Sequence, residues 1–357
     1  MTATVVLALI WVVGVAAPAP AVTLTPAERL ALLVRYQPVT WFATGEQFTP
    51  TNVGSFAANA DLRWHNAPGS FTTSAPGSTA PTLTTIAAKR NAQCARGLRT
   101  PCWMLDERNC SAANGVGPAA VACYRSDWLG TSPRPVVYGR VARLASGWAL
   151  QYWYFYYDEP FVPHLVAPEN VGVWTQHEGD WEAITIVLNP AMTPRWVGYA
   201  QHCLGLRRSW ANTARIGRHP VAYIALGSHA AWFSSGLQRI PREADCLTPA
   251  ENTQLDSGHV TVYDRTSKGS VSGPPGLTGL GAYAPTSVAL VSQSLPGWMR
   301  YPGTWGEKEY INVTVNGSVI RSGPHGFSPQ GPEHGRRLWI HPIAVTASWP
   351  TSYTGQP

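Results

Sequence analysis

Apolar and polar residues alternate over short spans along most of this chain, the rhythm of strands separated by turns. Runs rich in Val, Ile, Tyr and Trp predict strands over 136–143, 148–157, 181–188, 196–202, 221–225, 260–263 and 287–291, each bounded by Pro, Gly or Asn. The run over 148–157 is almost continuously aromatic and apolar, as in a strand buried on both faces. One segment reads as helix instead: 26–36, with Thr25 as its N-cap, Pro26 at the first helical position and Pro38 beyond its end. A Ser/Thr/Pro/Gly stretch over 67–82 predicts a surface loop or insertion. The expected fold is mainly β, a single elaborated β-sandwich with peripheral short helices and long loops.

The N-terminus changes the picture of where the chain acts. An apolar run from Val5 to Val13 followed by Ala19-Pro20-Ala21 has the pattern of a signal peptide over 1–21, with an uncleaved anchor as the alternative. Residues 22–357 then form one exported, secreted β-sandwich domain, without linker or internal repeat. Six cysteines, Cys94, Cys102, Cys110, Cys123, Cys203 and Cys246, are an even set for an exported chain and predict a disulfide-stapled fold. The first four lie within thirty residues in a Gly/Ala-rich region that reads as turns, and their pairing among themselves and of Cys203 with Cys246 is the expectation. There is no Cys-x-x-Cys to suggest zinc. Charged residues are only 13% of the 357, and the net charge of +6 is spread out without a basic and aromatic run, so nucleic acid is not an expected partner.

Candidate chemistry concentrates in His177-Glu-Gly-Asp-Trp-Glu182. Asp180 and Glu182 stand two apart and share a face of an extended backbone, while Glu178-Gly179 can supply a turn that swings His177 beside them. Two carboxylates and an imidazole suit a hard divalent cation, Ca²⁺, Mg²⁺ or Mn²⁺, or a division of acid and base roles; a solvated charged edge is the alternative. Histidine and acid residues recur at the ends of other predicted strands: Asp158, His202, and His229 preceded by Ser228. These residues can meet at one rim of a sandwich, where loops converge.

Several spaced motifs resemble the vacuolar-protein-sorting 62-related family, whose chemistry is not established. They are Arg35-Tyr-Gln-Pro-Val39 with Glu46-Gln-Phe-Thr-Pro50, His177-Glu-Gly-Asp-Trp-Glu182, His219-Pro-Val-Ala-Tyr223 with Gly227-Ser-His-Ala230, Gly303-Thr-Trp-Gly306, and Gly323-Pro324, which together span residues 35–339. More distantly, Tyr152-Trp-Tyr-Phe-Tyr-Tyr-Asp-Glu-Pro160 followed by the His177 motif is similar to the core of the necrosis-inducing cytolysins, secreted β-sandwich toxins with the motif Gly-His-Arg-His-Asp-Trp-Glu. That resemblance implies a divalent-cation site of Asp158, His177, Asp180 and Glu182, with His202 and His229 as an outer pair. Here Glu178-Gly179 replaces Arg-His, which puts the membrane-damaging activity in question more than the metal site.

Three function classes follow. One is a binder that uses the cation to grip a polar glycan, a glycolipid head group or an envelope surface, with His202, His229 and Ser228 contacting the ligand and peripheral membrane contact. The second is a metal-dependent hydrolase of a phosphoester, glycoside or ester, with Glu182, His202 and His229 as its acid and base groups. The absence of Gly-x-Ser-x-Gly and His-Glu-x-x-His removes the serine-hydrolase and zincin forms of that reading. The third is a membrane-damaging, cytolysin-like protein.

Overall fold

Helix α1 (Pro26–Tyr36) begins where the sequence predicts, and its N-terminus is closed by a full capping box. Thr25 Oγ1 accepts from the Glu28 backbone N–H at 3.3 Å, and Glu28 Oε2 accepts from the Thr25 N–H at 2.7 Å. The helix buries Leu33 and Tyr36 and leads at once into strand β1 (Val39–Phe42). The computed structural model describes residues 23–65, 73–74, 81–89, 102–110, 116–166, 170–202, 204–240, 261–280, 283–291, 297–333 and 337–353. Residues 1–21, where a signal peptide is predicted, nearly all of the predicted 67–82 loop, Cys94, Cys203, Cys246 and the Cys102 side chain lie outside the described residues.

The fold is mainly β, as expected. Its frame is an eight-stranded sheet in which β10 (Leu204–Ser209), β9 (Pro194–Gln201), β8 (Val171–Leu188), β6 (Gly147–Phe161), β5 (Val136–Leu144) and β18 (Ser287–Leu290) lie side by side, with β20 (Lys308–Val315) and β21 (Ser318–Phe327) continuing from the first half of β8. Strand β6 is buried on both faces over its first twelve residues. Tyr152, Tyr154 and Tyr156 enter one core, and Trp153, Phe155 and Tyr157 enter another. Truncating an aromatic residue in such a core costs about 3–5 kcal/mol, so this one strand anchors both sides of the molecule.

The first core is closed by α1 and a second sheet, which makes the sandwich. That sheet orders β11 (Arg215–Ile216), β12 (His219–Ile224), β1, β16 (Val271–Gly273) and β17 (Tyr283–Pro285), with β13 (Ala231–Trp232) pairing β12. Strand β1 runs parallel to β12, Val39 opposite Val221, and antiparallel to β16. The second core is closed by α2 (Val53–Asn59), α3 (Leu83–Ala88), α4 (Pro118–Gly130) and a small sheet of β19 (Thr304–Trp305), β4 (Cys102–Glu107), β2 (Ala60–His65) and β3 (Thr73–Ser74). A three-stranded ribbon of β14 (Gly236–Arg239), β15 (Thr261–Thr266) and β7 (His164–Val166) completes the strands.

Two expectations need correction. The cysteine region carries β4 and the thirteen-residue α4 rather than turns alone, and a disulfide joins Cys110 to Cys123 in the first turns of that helix. The His177 motif does not stand at a strand end: β8 already starts at Val171, and Glu178-Gly179 lies inside it. Among the described residues no helix is long and apolar enough to cross a membrane.

Candidate functional site

The polar residues of β8 tolerate the interior because one glycine re-aims them. Gly179 has φ of +55°, and a Cβ there would run into the carbonyl oxygen of Trp305 on β19. Regular alternation would put His177 and Asp180 on opposite faces. With the pleat broken between them, a ligand atom of each, together with one of Glu159, lies within 4.8 Å of the others. Glu178 turns the other way, toward Tyr124 of α4 and the second core. The motif therefore serves both faces of the central sheet.

On the first face, Glu159 of β6 lies opposite His177 in the register and pairs with its Nε2. His177 Nδ1 faces the Glu178 carbonyl at 3.2 Å, so both ring nitrogens meet acceptors and the ring is held as a cation. Burial opposes that charge, but Glu159 overcomes it and pushes the His177 pKa up to about 10. Next to this pair, Asp180 Oδ2 accepts from His229 Nδ1 at 3.1 Å, and His229 Nε2 faces Glu46 Oε1 at 3.4 Å. His229 is fully buried, lies flat on Tyr156 at 3.8 Å, and holds a positive φ of 55°. Burial works against its charge too; Glu46 and Asp180 prevail and raise it to about 10.

The remaining sequence candidates sit around this group in three ways. Asp158 is fully buried and accepts from Gln176 Nε2 at 2.8 Å, and burial lifts its pKa to about 8. Glu182 lies opposite Tyr154, one alternation beyond Asp180 on β8, and is buried. His202 and Ser228 both converge on Asp264 of β15: His202 Nε2 at 3.0 Å from Oδ2 and Ser228 Oγ donating to Oδ1 at 2.7 Å, joined by Trp232 Nε1 at 2.9 Å. On this face the residues grouped closely enough to hold an ion are Glu159, His177 and Asp180; Asp158 and Glu182 flank them along their strands, while His229 links Asp180 to Glu46.

Glu46, Glu159 and Asp264 were not singled out as site residues by sequence. Glu159 offered one signal, its place next to Asp158 at the end of the aromatic run. Asp264 and Glu46 lie far from their partners along the chain, and only the fold pairs them.

A pH dependence follows. His202 is raised above its ordinary pKa because Asp264, by charge and hydrogen bond, outweighs the burial that would lower it. A raised histidine stabilises fully below its unfolded pKa of about 6.5 and loses that contribution as pH climbs through the folded value. With His177 and His229 near 10 acting in the same sense, the cation-free protein is expected to lose stability steadily between about pH 6.5 and 10. Denaturant melts across that range should show the decline, and it should be shallower in His202→Gln.

No family model matches the chain and no curated protein matches it, so the resemblance to the vacuolar-protein-sorting 62-related family finds no support there. Solved structures of necrosis-inducing proteins are similar to it at low identity. NLPPya in complex with glucosamine is 17% identical, with 65% of this chain and 81% of that one covered and a TM-score of 0.30. The non-toxic HaNLP3 protein is 12% identical over 79% and 82%, with a TM-score of 0.30. Necrosis and Ethylene inducing Protein 2 from the causal agent of cocoa's Witches Broom disease is 14% identical over 57% and 67%, with a TM-score of 0.27.

Proposed function

We propose that this is an exported protein that grips a polar, oxygen-rich head group, of a glycan or glycolipid, through a divalent cation held by Glu159, His177 and Asp180. The observation that carries this reading is the proximity of those three ligand atoms, all within 4.8 Å of one another. An ion there takes the place of the His177 Nε2 proton, and the freed imidazole nitrogen with two carboxylate oxygens forms a donor set for Ca²⁺, Mg²⁺ or Mn²⁺. The side chains of Glu159 and His177 remain 13% and 12% exposed, which keeps part of such an ion's shell within reach of a ligand oxygen. Hydrolysis has less support. Of its acid and base groups, His202 is held on Asp264, and His229 is fully buried between Asp180 and Glu46.

The test uses the purified protein with and without EDTA. Ca²⁺, Mg²⁺ or Mn²⁺ at a hundred times its Kd is expected to stabilise the fold by roughly 2.7 kcal/mol, and retention on a glycan array or on glycolipid vesicles should be lost in EDTA. Glu159→Gln and His177→Gln preserve volume and should weaken both effects at least about tenfold, which is about 1.4 kcal/mol. Glycan retention that is unchanged in EDTA and in both variants would overturn the proposal.

A further inference from the structure

Two motifs that the Glu159 centre leaves unused, around Arg35 and around His219, meet at one edge of the second sheet. Strand β12 runs parallel to β1 with Val221 beside Val39, so the residues leading into the two strands are neighbours as well. His219 Nδ1 donates to the Gln37 carbonyl at 2.9 Å. That contact pins the Gly217-Arg218 turn of the β11–β12 hairpin beside the last turn of α1, which carries Arg35. Between the hairpin, the helix end and the loop after β16 lies a cavity of about 490 Å³, walled by Val34, Ile216 and Leu277 and edged by Arg35, Arg218 and His219. Small-molecule sites of about 300–1,000 Å³ have this make-up, an apolar wall with a few convergent polar groups.

The charges of the cavity are of one sign. No described carboxylate lines it, and residues 183–242, which include β11 and β12, contain seven arginines and neither Asp nor Glu. Other arginines of that stretch are engaged: Arg207 Nε donates to the Trp349 carbonyl at 2.7 Å, and Arg215 Nη1 to the carbonyls of Trp210 and Thr213. Arg35 and Arg218 make no hydrogen bond or ion pair among the described residues; Arg35 lies only over the Tyr36 ring, at 5.5 Å. The carbonyl end of α1 offsets about half a charge, which leaves the two guanidiniums about one and a half in excess. His219 Nε2 is left for a ligand oxygen, as acceptor in the neutral ring and donor in the charged one.

We infer that this cleft binds a phosphate monoester carried on an apolar group, the phosphate on Arg35 and Arg218 and the apolar group against Val34, Ile216 and Leu277. Such an ester bears about −1.5 to −2 charges at pH 7, which matches that excess, whereas a carboxylate or sulfate bears one and leaves a guanidinium unpaired. The planar forks of arginine also take phosphate oxygens two at a time. A free ester and a lipid head group share this chemistry. The cleft uses no residue of the Glu159 centre and needs no cation.

The full chain in EDTA provides the test, with calorimetric titration of octyl phosphate as the free ester and sedimentation with phosphatidylcholine vesicles containing phosphatidic acid as the lipid form. Arg35 and Arg218 are exposed, so their replacement leaves both cores intact. Arg35→Gln and Arg218→Gln are each expected to weaken binding about tenfold, the loss of a charge-assisted contact. Arg195→Gln, in the same acid-free stretch but outside the cavity lining, should change it less than about twofold at physiological salt. Octyl sulfate should bind at least about tenfold more weakly than octyl phosphate. Octyl phosphate binding with that pattern sustains the cleft as a site for a free ester, and vesicle binding alone with the same pattern sustains it as a site for a lipid head group. No binding to either, octyl sulfate bound as tightly as octyl phosphate, or equal losses in all three variants would overturn it.

Discussion

Gly179→Ala is expected to be the most damaging single-methyl change in the molecule, costing about 3–5 kcal/mol, in the exceptional range for point substitutions. Two penalties add. A residue with a Cβ in the left-handed region loses about 1–2 kcal/mol, and here the Cβ also collides with the Trp305 carbonyl, which can yield only if β19 moves off the second core. Gly317, in the turn between β20 and β21, supplies the control: its φ is +78°, but nothing lies within 4 Å of a Cβ there. Gly317→Ala should cost only the conformational part, about 1 kcal/mol. Equal urea midpoints for the two variants would show that the break in the β8 pleat does not organise the site as described.

The second large effect is expected from His229→Leu. The imidazolium bridges Glu46 and Asp180, two carboxylates with little exposure, and its removal takes away the cation between them. Breaking a buried pair by deleting one partner costs about 3–5 kcal/mol, and the stacking on Tyr156 is lost as well. The sign with pH distinguishes this from a packing defect. In the parent protein Glu46 is held below its usual range, burial notwithstanding, by the charge of His229, so its contribution is present above about pH 4.3 and fades as pH falls. In His229→Leu the same carboxylate has lost that charge, so the variant should close part of its deficit as the pH drops toward 4. A deficit that stays constant between pH 7 and 4 in chemical denaturation would refute the ion-pair account.

Much of the frame was legible in sequence because elements that bury apolar side chains declare their period. Strand β6 was readable from its aromatic run, and α1 from Thr25, Pro26 and Pro38. The first half of β8 was not, because a stretch with His177, Glu178 and Gly179 reads as a polar turn. It is a strand only because partners on both faces satisfy those groups, and these partners come from β6, α4 and the turn before β20. Helix α4 was hidden among Gly, Ala and Cys residues, with Pro118 at its first turn as the signal that could have found it. The site itself was half visible: His177 and Asp180 stood in the motif, but period-two alternation cannot foresee that Gly179 inverts the pleat and exchanges the faces on either side of it. Nor does any local rule place Glu46 on His229 or Asp264 on His202, since long-range register is what brings them together.

Strand β1 lies between β12 and β16, parallel to the first. Both neighbours are made long after it: at about 5–20 residues per second, the ribosome needs on the order of ten seconds or more after residue 42 before residues 271–273 exist. The sandwich therefore cannot close vectorially from its N-terminus. Any truncation that ends ahead of β16 leaves β1 with an open edge, and β1 waits until residues 271–273 are made before both its ladders can form.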